Sequence, residues 1–435
     1  MQLIVRGLEI CHGILSVSVK HETALDDKSV FCFKGSVRKC NTSMKLLSFY
    51  RSIVIYTVLL GVINAQAETL DANLKTLQSV GKEGLGNSAA TVAWQEVASV
   101  DAELIPTILS SIDGDNPLSA NWIRAAVDAI ASRHEKLPLN DLEVFLADVR
   151  HDPRARRLAW ELIQDRESER AEEIIRGMLD DPSVELRYDA VDRLIREADR
   201  EKGSPAATEL LRQALGAARD VNQVKKITSD LQEIGDEIDL QQHFGFLFNW
   251  YVVGPFDNSG GQGFAKIYPP EKSVDIQATY DGKDGPVSWH QFLTADPYGM
   301  VDINKAIPGP GDGLKEVVAY AFTTITFPTE QVAEVRLGCK NAWKIWVNGS
   351  LLFERDEYHR GMRIDQYRLP VKLNKGSNTL LVKLCQDGQT KDWTKQWQFQ
   401  LRLCDATGTA ILAVDRRPTP LQKEAEATHG GLRAQ

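Results

Sequence analysis

The chain has 435 residues, 43% of them hydrophobic and 26% charged, an ordinary globular composition with room for two or three real cores. Its formal charge of −9, with no basic stripe or aromatic-basic interleaving beyond ordinary helix faces, argues against nucleic acid as a partner and disfavours anionic membrane surfaces.

The first informative segment is Met44-Lys45-Leu46 with Arg51, followed by an apolar run from Ile53 to Ile63 and then Ala65-Gln66-Ala67. A positive start, a short apolar core and an A-x-A site are the three parts of an export signal, whereas a membrane-spanning helix needs about twenty apolar residues. Residues 44–67 are therefore expected to be a signal peptide cleaved after Ala67, placing the protein in the periplasm or outside the cell with no stable membrane span. Residues 1–43 have no role in front of such a signal and read as an upstream over-extension of the reading frame, with Met44 as the true start. The alternative is a folded cytosolic extension with an uncleaved anchor. Residues 1–67 hold eight of the 51 Lys and Arg and four of the 60 Asp and Glu, so the remainder carries 43 basic against 56 acidic side chains, a charge of −13.

From about Leu70 to Leu240 apolar residues recur at three and four spacing, which predicts an all-α region. Asn116-Pro117, Asp152-Pro153 and Asp181-Pro182 each offer a capping side chain before a proline at the first helical position. These prolines lie 36 and 29 residues apart, with apolar stripes such as Leu186, Ala190, Val191, Leu194 and Ile195 at comparable offsets, which indicates helical hairpins stacked as a solenoid. The stretch Asp180-Asp181-Pro182-Ser183-Val184-Glu185-Leu186-Arg187-Tyr188-Asp189-Ala190-Val191 resembles a HEAT repeat in its Asp-Pro turn, the Arg on the next helix and its small-then-apolar stripe. The resemblance covers roughly residues 85–240 and implies a protein-binding scaffold; Arg187 and Asp181 read as locks between repeats. The charge run from Asp165 to Glu173 reads as a solvated helix face.

At Phe244 the helical pattern stops. A first strand is expected at Asn249 to Val253, and the Gly-rich loop from Ser259 to Phe264 lacks GK[ST] and leads into Pro269-Pro270, so it reads as a surface loop. Trp343 to Phe353 forms two alternating runs around Asn348-Gly349, the signature of a β-hairpin with a type I′ turn. A second hairpin is expected from Val371 to Leu384, turning around Gly376. Of the six cysteines, Cys11, Cys32 and Cys40 fall before the expected signal, leaving Cys339, Cys385 and Cys404, each in an apolar strand-like run; three thiols allow at most one bridge, and buried reduced cysteines explain them at least as well.

The block Trp250 to Phe256, the Trp346-Val347-Asn348-Gly349 hairpin and the Leu373-x-x-Gly376-x-Asn378-x-Leu380-x-Val382-Lys383 strand resemble the galactose-binding-like jelly-roll family, which includes non-catalytic domains of bacterial glycosidases. Its members bind sugars, bind proteins or brace neighbouring domains, so the resemblance implies a fold and no particular ligand residues.

The fold class expected is multidomain, an α-solenoid of helical hairpins over 68–243 followed by an antiparallel β-sandwich (jelly roll) over 244–415, with 416–435 as a flexible tail. Sugars are held by aromatic faces beside planar polar groups, which singles out Tyr358, His359, Arg360 and Arg363 in one loop and Trp393 in another. Trp393 and Trp397 would share a face if their segment were helical; the preferred reading puts Trp397 in the core and Trp393 over an edge. A structural calcium, the only cofactor considered, could be held by Asp257, Asn258, Asp281 and Asp284, although Asp and Asn are also the usual turn formers. No GxSxG, HExxH, Walker A or dinucleotide fingerprint is present. The expected protein is an exported, non-enzymatic scaffold whose sandwich recognises carbohydrate or an envelope component and whose helices bind protein. The alternatives are an assembly module without a sugar site and, last, a divergent glycoside hydrolase.

Overall fold

A computed structural model describes residues 68–307 and 313–417. The expected signal peptide, the upstream extension and the tail from 418 onward lie outside the described residues. Two compact units divide the chain, Met1–Thr69 and Leu70–Gln435, and the architecture below belongs to the second.

The helical part comprises α1 (68–78), α2 (Asn87–Ala98), α3 (Ile105–Leu109), α4 (Pro117–Arg133), α5 (Leu139–Ala147), α6 (Pro153–Arg166), α7 (Ser168–Arg176), α8 (Val184–Arg200), α9 (Pro205–Ala217), α10 (Val221–Glu233) and α11 (Leu240–Phe244). Neighbours pack in sequence order, α2 on α4, α5 on α6, α7 between α6 and α8, α9 between α8 and α10, as a solenoid requires. Two starts are capped as expected. Asn116 accepts from the Leu118 and Ser119 amides, and its amide nitrogen reaches back to the Gln78 and Val80 carbonyls behind α1. Asp152 accepts from the Arg154 amide, with Pro153 at the first position.

The third start differs. Helix α8 begins at Val184 with Ser183 as its cap, the hydroxyl 3.2 Å from the Leu186 amide. Asp181 does not cap α8: the buried Arg156 of α6 holds its carboxylate through two bonds of 2.8 and 2.7 Å, and the one amide it accepts from is that of Ser183, before the helix. The lock between successive hairpins is thus Arg156 to Asp181, while Arg187 donates only to the Asp181 carbonyl, at 3.1 Å. The charge run from Asp165 is not one helix face either: α6 ends at Arg166 and α7 restarts at Ser168, with Arg170 reaching Glu143 and Asn140 on α5.

The C-terminal part is an antiparallel β-sandwich. Its strands are β1 (Asn249–Asp257), β2 (Thr279–Asp281), β3 (Pro286–Ser288), β4 (His290–Leu293), β5 (Val301–Asp302), β6 (Val317–Phe327), β7 (Gln331–Cys339), β8 (Trp343–Val347), β9 (Ser350–Arg355), β10 (Tyr367–Leu373), β11 (Gly376–Gln386) and β12 (Gln398–Cys404). One sheet runs β4-β1-β6-β11-β8-β9, the other β10-β7-β12-β5, and β2 pairs β3 apart from both. Between the sheets lie Trp250, Val252, Ala321, Ile345, Val382, Val335, Leu337, Phe399 and Leu401, all fully buried. A second cluster, with Phe256, Tyr268 and Tyr320, covers the opposite face of the larger sheet, so that sheet is buried on both sides. The fold class is the one expected, helical hairpins followed by an antiparallel sandwich.

The Asn348-Gly349 hairpin is present, with φ of +50° and +79° at the two turn residues, as a type I′ turn demands. The segment from Val371 to Leu384 is not a hairpin. Strand β10 pairs with β7 in one sheet and β11 with β6 and β8 in the other, so the chain crosses between sheets at Asn374-Lys375. Asn378, fully buried, makes the corner: its oxygen accepts from the Asn374 amide at 2.8 Å and its nitrogen donates to the Asn374 and Gly376 carbonyls. Strand β1 continues past Val253 to Asp257, and the prolines after the Gly-rich loop open a four-residue helix, α12 (Pro269–Lys272).

The helices are fastened to the sandwich. Gln241 donates to the Thr294 and Asp296 carbonyls at 2.9 and 2.7 Å, and Leu247 pairs its amide with the Leu401 carbonyl. Phe244 and Phe246 sit in one apolar cluster with Ile227 and Leu231 of α10 and with Tyr298 and Ile364 of the sandwich. Arg402 of β12, buried, donates to the Phe244 carbonyl at 3.1 Å and to the Gly408 carbonyl at 3.0 Å.

Candidate functional site

Two loops meet at one end of the sandwich, 356–366 between β9 and β10 and 387–397 between β11 and β12. The first carries His359 in the left-handed region, φ +57°, with its amide directed at the Asn341 side chain and the Arg360 amide on the Lys340 carbonyl. The imidazole is 4% exposed, and its Nε2 lies 2.8 Å from Asp387 Oδ1. Its Nδ1 is buried without a partner among the described residues.

Trp393 lies in a single 3-10 turn, Asp392–Thr394, fixed by the Thr394 hydroxyl on the Gln389 and Lys391 carbonyls and by Lys340 Nζ on the Trp393 carbonyl at 3.0 Å. The indole is 51% exposed, and the His359 ring meets it edge to face at 5.3 Å. Trp397, beyond the turn, is fully buried between the sheets. The two tryptophans therefore share no helical face, and the preferred reading of core and edge describes them. The result is an exposed aromatic on a fixed turn, backed by a buried histidine that a carboxylate orients, a surface able to stack on an apolar ring face.

The other expected ligand residues are placed differently. Tyr358 turns inward: its hydroxyl accepts from Asn258 Nδ2 at 3.1 Å, its ring packs against the second core cluster, and burial pushes its phenol above the usual range. Arg360 is exposed but engaged with Glu357 at 2.7 Å, and Arg355 and Arg360 together hold the Glu357 carboxyl below its usual range. Arg363 lines a separate cleft, against the helices. The structure thus brings together His359 and Trp393 and separates them from Arg363. Asp387, Lys340 and Asn341, which hold this pair in place, carried no sequence signal, because nothing in their spacing ties three different loops together.

The loops considered for calcium do not assemble as one. Among the described residues no three His, Cys, Asp or Glu side chains gather as a metal set. The positive charge near Asp257 is the Lys283 ammonium at 3.7 Å, itself bound to the Lys315 and Glu316 carbonyls, and the Ser259 hydroxyl and amide hold the Asp257 carboxyl below its usual range. The Asn258 amide nitrogen is held by the Gln386 carbonyl and the Tyr358 hydroxyl, while its Oδ1 is buried without a hydrogen-bond partner among the described residues. Asp281 ends β2, and Asp284 follows in the turn to β3.

Among the described residues Cys339, Cys385 and Cys404 are free thiols, buried as small hydrophobes. Burial pushes Cys339 up to about 12, Cys385 to about 12 and Cys404 to about 11. A buried polar knot lies on the other face of the large sheet: Lys383 Nζ donates to the Phe264 and Lys266 carbonyls and to Glu271 at 2.8 Å, and the Tyr320 hydroxyl donates to the same Glu271 oxygen. Every Lys383 donor is used within the protein, which makes the group a strut for the 258–272 loop.

No protein-family model matches the chain, and no curated protein matches it. Among solved structures, a family 35 carbohydrate-binding module from Clostridium thermocellum aligns at 14% identity over 20% of this chain and 72% of its own, with a TM-score of 0.15. The PA14 sugar-binding domain of an RTX adhesin aligns at 12% identity over 36% of this chain and 89% of its own, with a TM-score of 0.22. A β-glucosidase from Kluyveromyces marxianus aligns at 12% identity over 54% of this chain and 31% of its own, also at 0.22.

Proposed function

We propose that this chain is an exported, non-catalytic binding protein, a HEAT-like scaffold carrying a galactose-binding-like sandwich that holds carbohydrate or another envelope component at the Trp393–His359 edge. The observation that carries this reading is the exposed Trp393 side chain, on a turn whose backbone carbonyl Lys340 holds, met edge-on by a His359 that Asp387 orients. An exposed large aromatic held rigid loses little entropy when a ligand covers it, which is what a binding surface needs. The export part rests on the 44–67 sequence pattern. The helical stack supplies an extended surface for a protein partner.

The test is a polysaccharide and glycan-array screen of the full chain beside Trp393→Ala. Saturable binding to a glycan, lost in the variant, is expected. Absence of binding across plant, algal and bacterial polymers would replace this reading with protein assembly.

A further inference from the structure

The outer face of the four-stranded sheet carries a row of like charges. Arg368 on β10 is the cross-strand partner of Arg336 on β7, and Arg336 is the partner of Arg402 on β12. Their neighbours Val335, Leu337, Leu401 and Leu403 fill the core between the sheets, so the three guanidiniums leave the opposite face side by side. Like charges directly opposite one another on adjacent strands cost stability. Asp365 offsets part of this, accepting from both Arg336 and Arg402, and Glu334 takes a further bond from Arg336. Among the described residues no carboxylate pairs with Arg368.

This row faces the helices across a cleft of about 770 Å³ lined by six arginines and three carboxylates, an excess of positive charge in a chain whose net charge is −9. The carboxylates are committed elsewhere. Asp365 is shared as above, Asp220 caps α10 through the Asn222 and Gln223 amides, and Glu185 accepts from the Ser183 hydroxyl. The arginines are not all matched. Arg187 is 6% exposed; its Nε is on the Asp181 carbonyl, and among the described residues its two terminal nitrogens have no protein acceptor. Among the described residues Arg219 has only neutral acceptors, the Thr409 hydroxyl and the Gly216 and Ala218 carbonyls. Arg363 and Arg368, both exposed, have no ion-pair partner among the described residues. Helices α8 and α10 also begin at this cleft and add the partial positive charge of their N-termini. The field registers on a neighbour: burial, reinforced by Arg219 and Arg402, pushes His243 down to about 4.

A cleft of this volume suits a ligand of a few sugar units, and unmatched guanidiniums converging on it suit carboxylate or sulfate groups, which they bind in two-pronged fashion. We propose that the cleft between helices and sandwich binds an acidic oligosaccharide, uronate or sulfated, through Arg187, Arg219, Arg363 and Arg368. This rests on the glycan-binding reading for the saccharide nature of the ligand, but not on the Trp393 edge.

The experiment is calorimetric titration of the full chain with a trigalacturonate, a sulfated trisaccharide, a neutral trisaccharide and inorganic sulfate. It is run on the native sequence, on Arg363→Ala/Arg368→Ala and on Trp393→Ala. Both substituted arginines are exposed and unpaired, so the double variant keeps its fold, checked by circular dichroism. Binding of one acidic trisaccharide, weakening with salt and falling by about tenfold or more in the double variant, is expected from the loss of charge-assisted bonds. Equal affinity in the double variant, or preference for the neutral trisaccharide, overturns the cleft assignment. Loss of binding only in Trp393→Ala also overturns it, while leaving the glycan reading of the Trp393 edge intact. Binding of inorganic sulfate with no binding of either acidic saccharide overturns the saccharide identity of the ligand.

Discussion

Asp365→Asn is the substitution that most directly tests how the helices, the sandwich and the arginine row depend on one another. Asp365 accepts from Arg336 Nη1 at 2.8 Å, from Arg402 Nε at 2.7 Å and from Arg402 Nη2 at 2.6 Å. Both arginines are almost fully buried, at 4% and 1% exposure, and they are direct cross-strand partners. An asparagine keeps the shape, removes the only charge shared by the two guanidiniums, and turns one acceptor into a donor facing another donor. Removing one member of a buried charge group costs about 3–5 kcal/mol. Because Arg402 also holds the Phe244 carbonyl, the loss falls at the junction with the helices. The pH dependence has a definite sign. Burial works to raise the Asp365 pKa, but the bonds and charges of Arg402 and Arg336 outweigh it and leave the carboxyl below its usual value. Its stabilising contribution is therefore complete above the unfolded-state value of about 3.9 and fades as pH falls through the lower folded value. Urea unfolding followed by the fluorescence of the buried tryptophans, at pH 7 and at pH 3, measures both effects. A loss under about 1 kcal/mol at pH 7 would refute the argument that Asp365 neutralises the row.

The Lys383–Glu271 strut makes a paired prediction: Lys383→Met leaves the Glu271 carboxylate buried beside Tyr320 and should cost about 3–5 kcal/mol, whereas adding Glu271→Leu should recover most of it. Equal losses in the single and double variants would show that the pair contributes nothing specific. The buried thiols, with Cys339 and Cys385 both pushed up to about 12, should resist thiol reagents at pH 8 in the folded protein and react only at the rate of unfolding; prompt labelling of any one of them would contradict their placement. Asn378→Ala removes every bond of the sheet-to-sheet corner and should cost about 2–4 kcal/mol by chemical denaturation, with Asn378→Asp at least as costly because it brings a charge where carbonyls accept.

Local features of this fold were readable where a short segment contains its own physics. Asn348-Gly349 supplies the positive φ that a two-residue hairpin requires, and Asn116-Pro117 supplies a cap and a donor-free first position, so both are as the sequence indicates. The segment from Val371 to Leu384 misled because alternation and a Gly turn are common to a hairpin and to an arch between facing sheets. What distinguishes them is the partner of each strand, β7 for one and β6 with β8 for the other, and those partners lie far away in the chain. The Asp181-Pro182 cap failed for a related reason: Arg156, 25 residues earlier, holds the Asp181 carboxylate, and the helix begins at Val184 with Ser183 as its cap.

The two proposed binding surfaces divide along the same line. Trp393 could be singled out because a tryptophan in a polar loop is a local oddity, and it is exposed. The arginine cleft had no such signature. Its members come from α6, from α8, from the loop before α10, and from loop 356–366 with β10 and β7, and no single stretch of sequence holds more than two of them. Only the register of β10, β7 and β12 sets Arg368, Arg336 and Arg402 side by side, and only the docking of α8 and α10 against that face adds Arg187 and Arg219. A chain of net negative charge can thus hold a concentrated positive site. Net charge governs long-range encounter, but an anion inside a cleft a few ångströms across interacts mainly with guanidiniums within a Debye length of about 10 Å at 0.1 M salt. The overall acidity therefore slows the approach of an acidic glycan without weakening its hold once bound, so raising salt should speed association even as it weakens the complex. A cleft that bound its ligand through apolar contact alone would not weaken with salt.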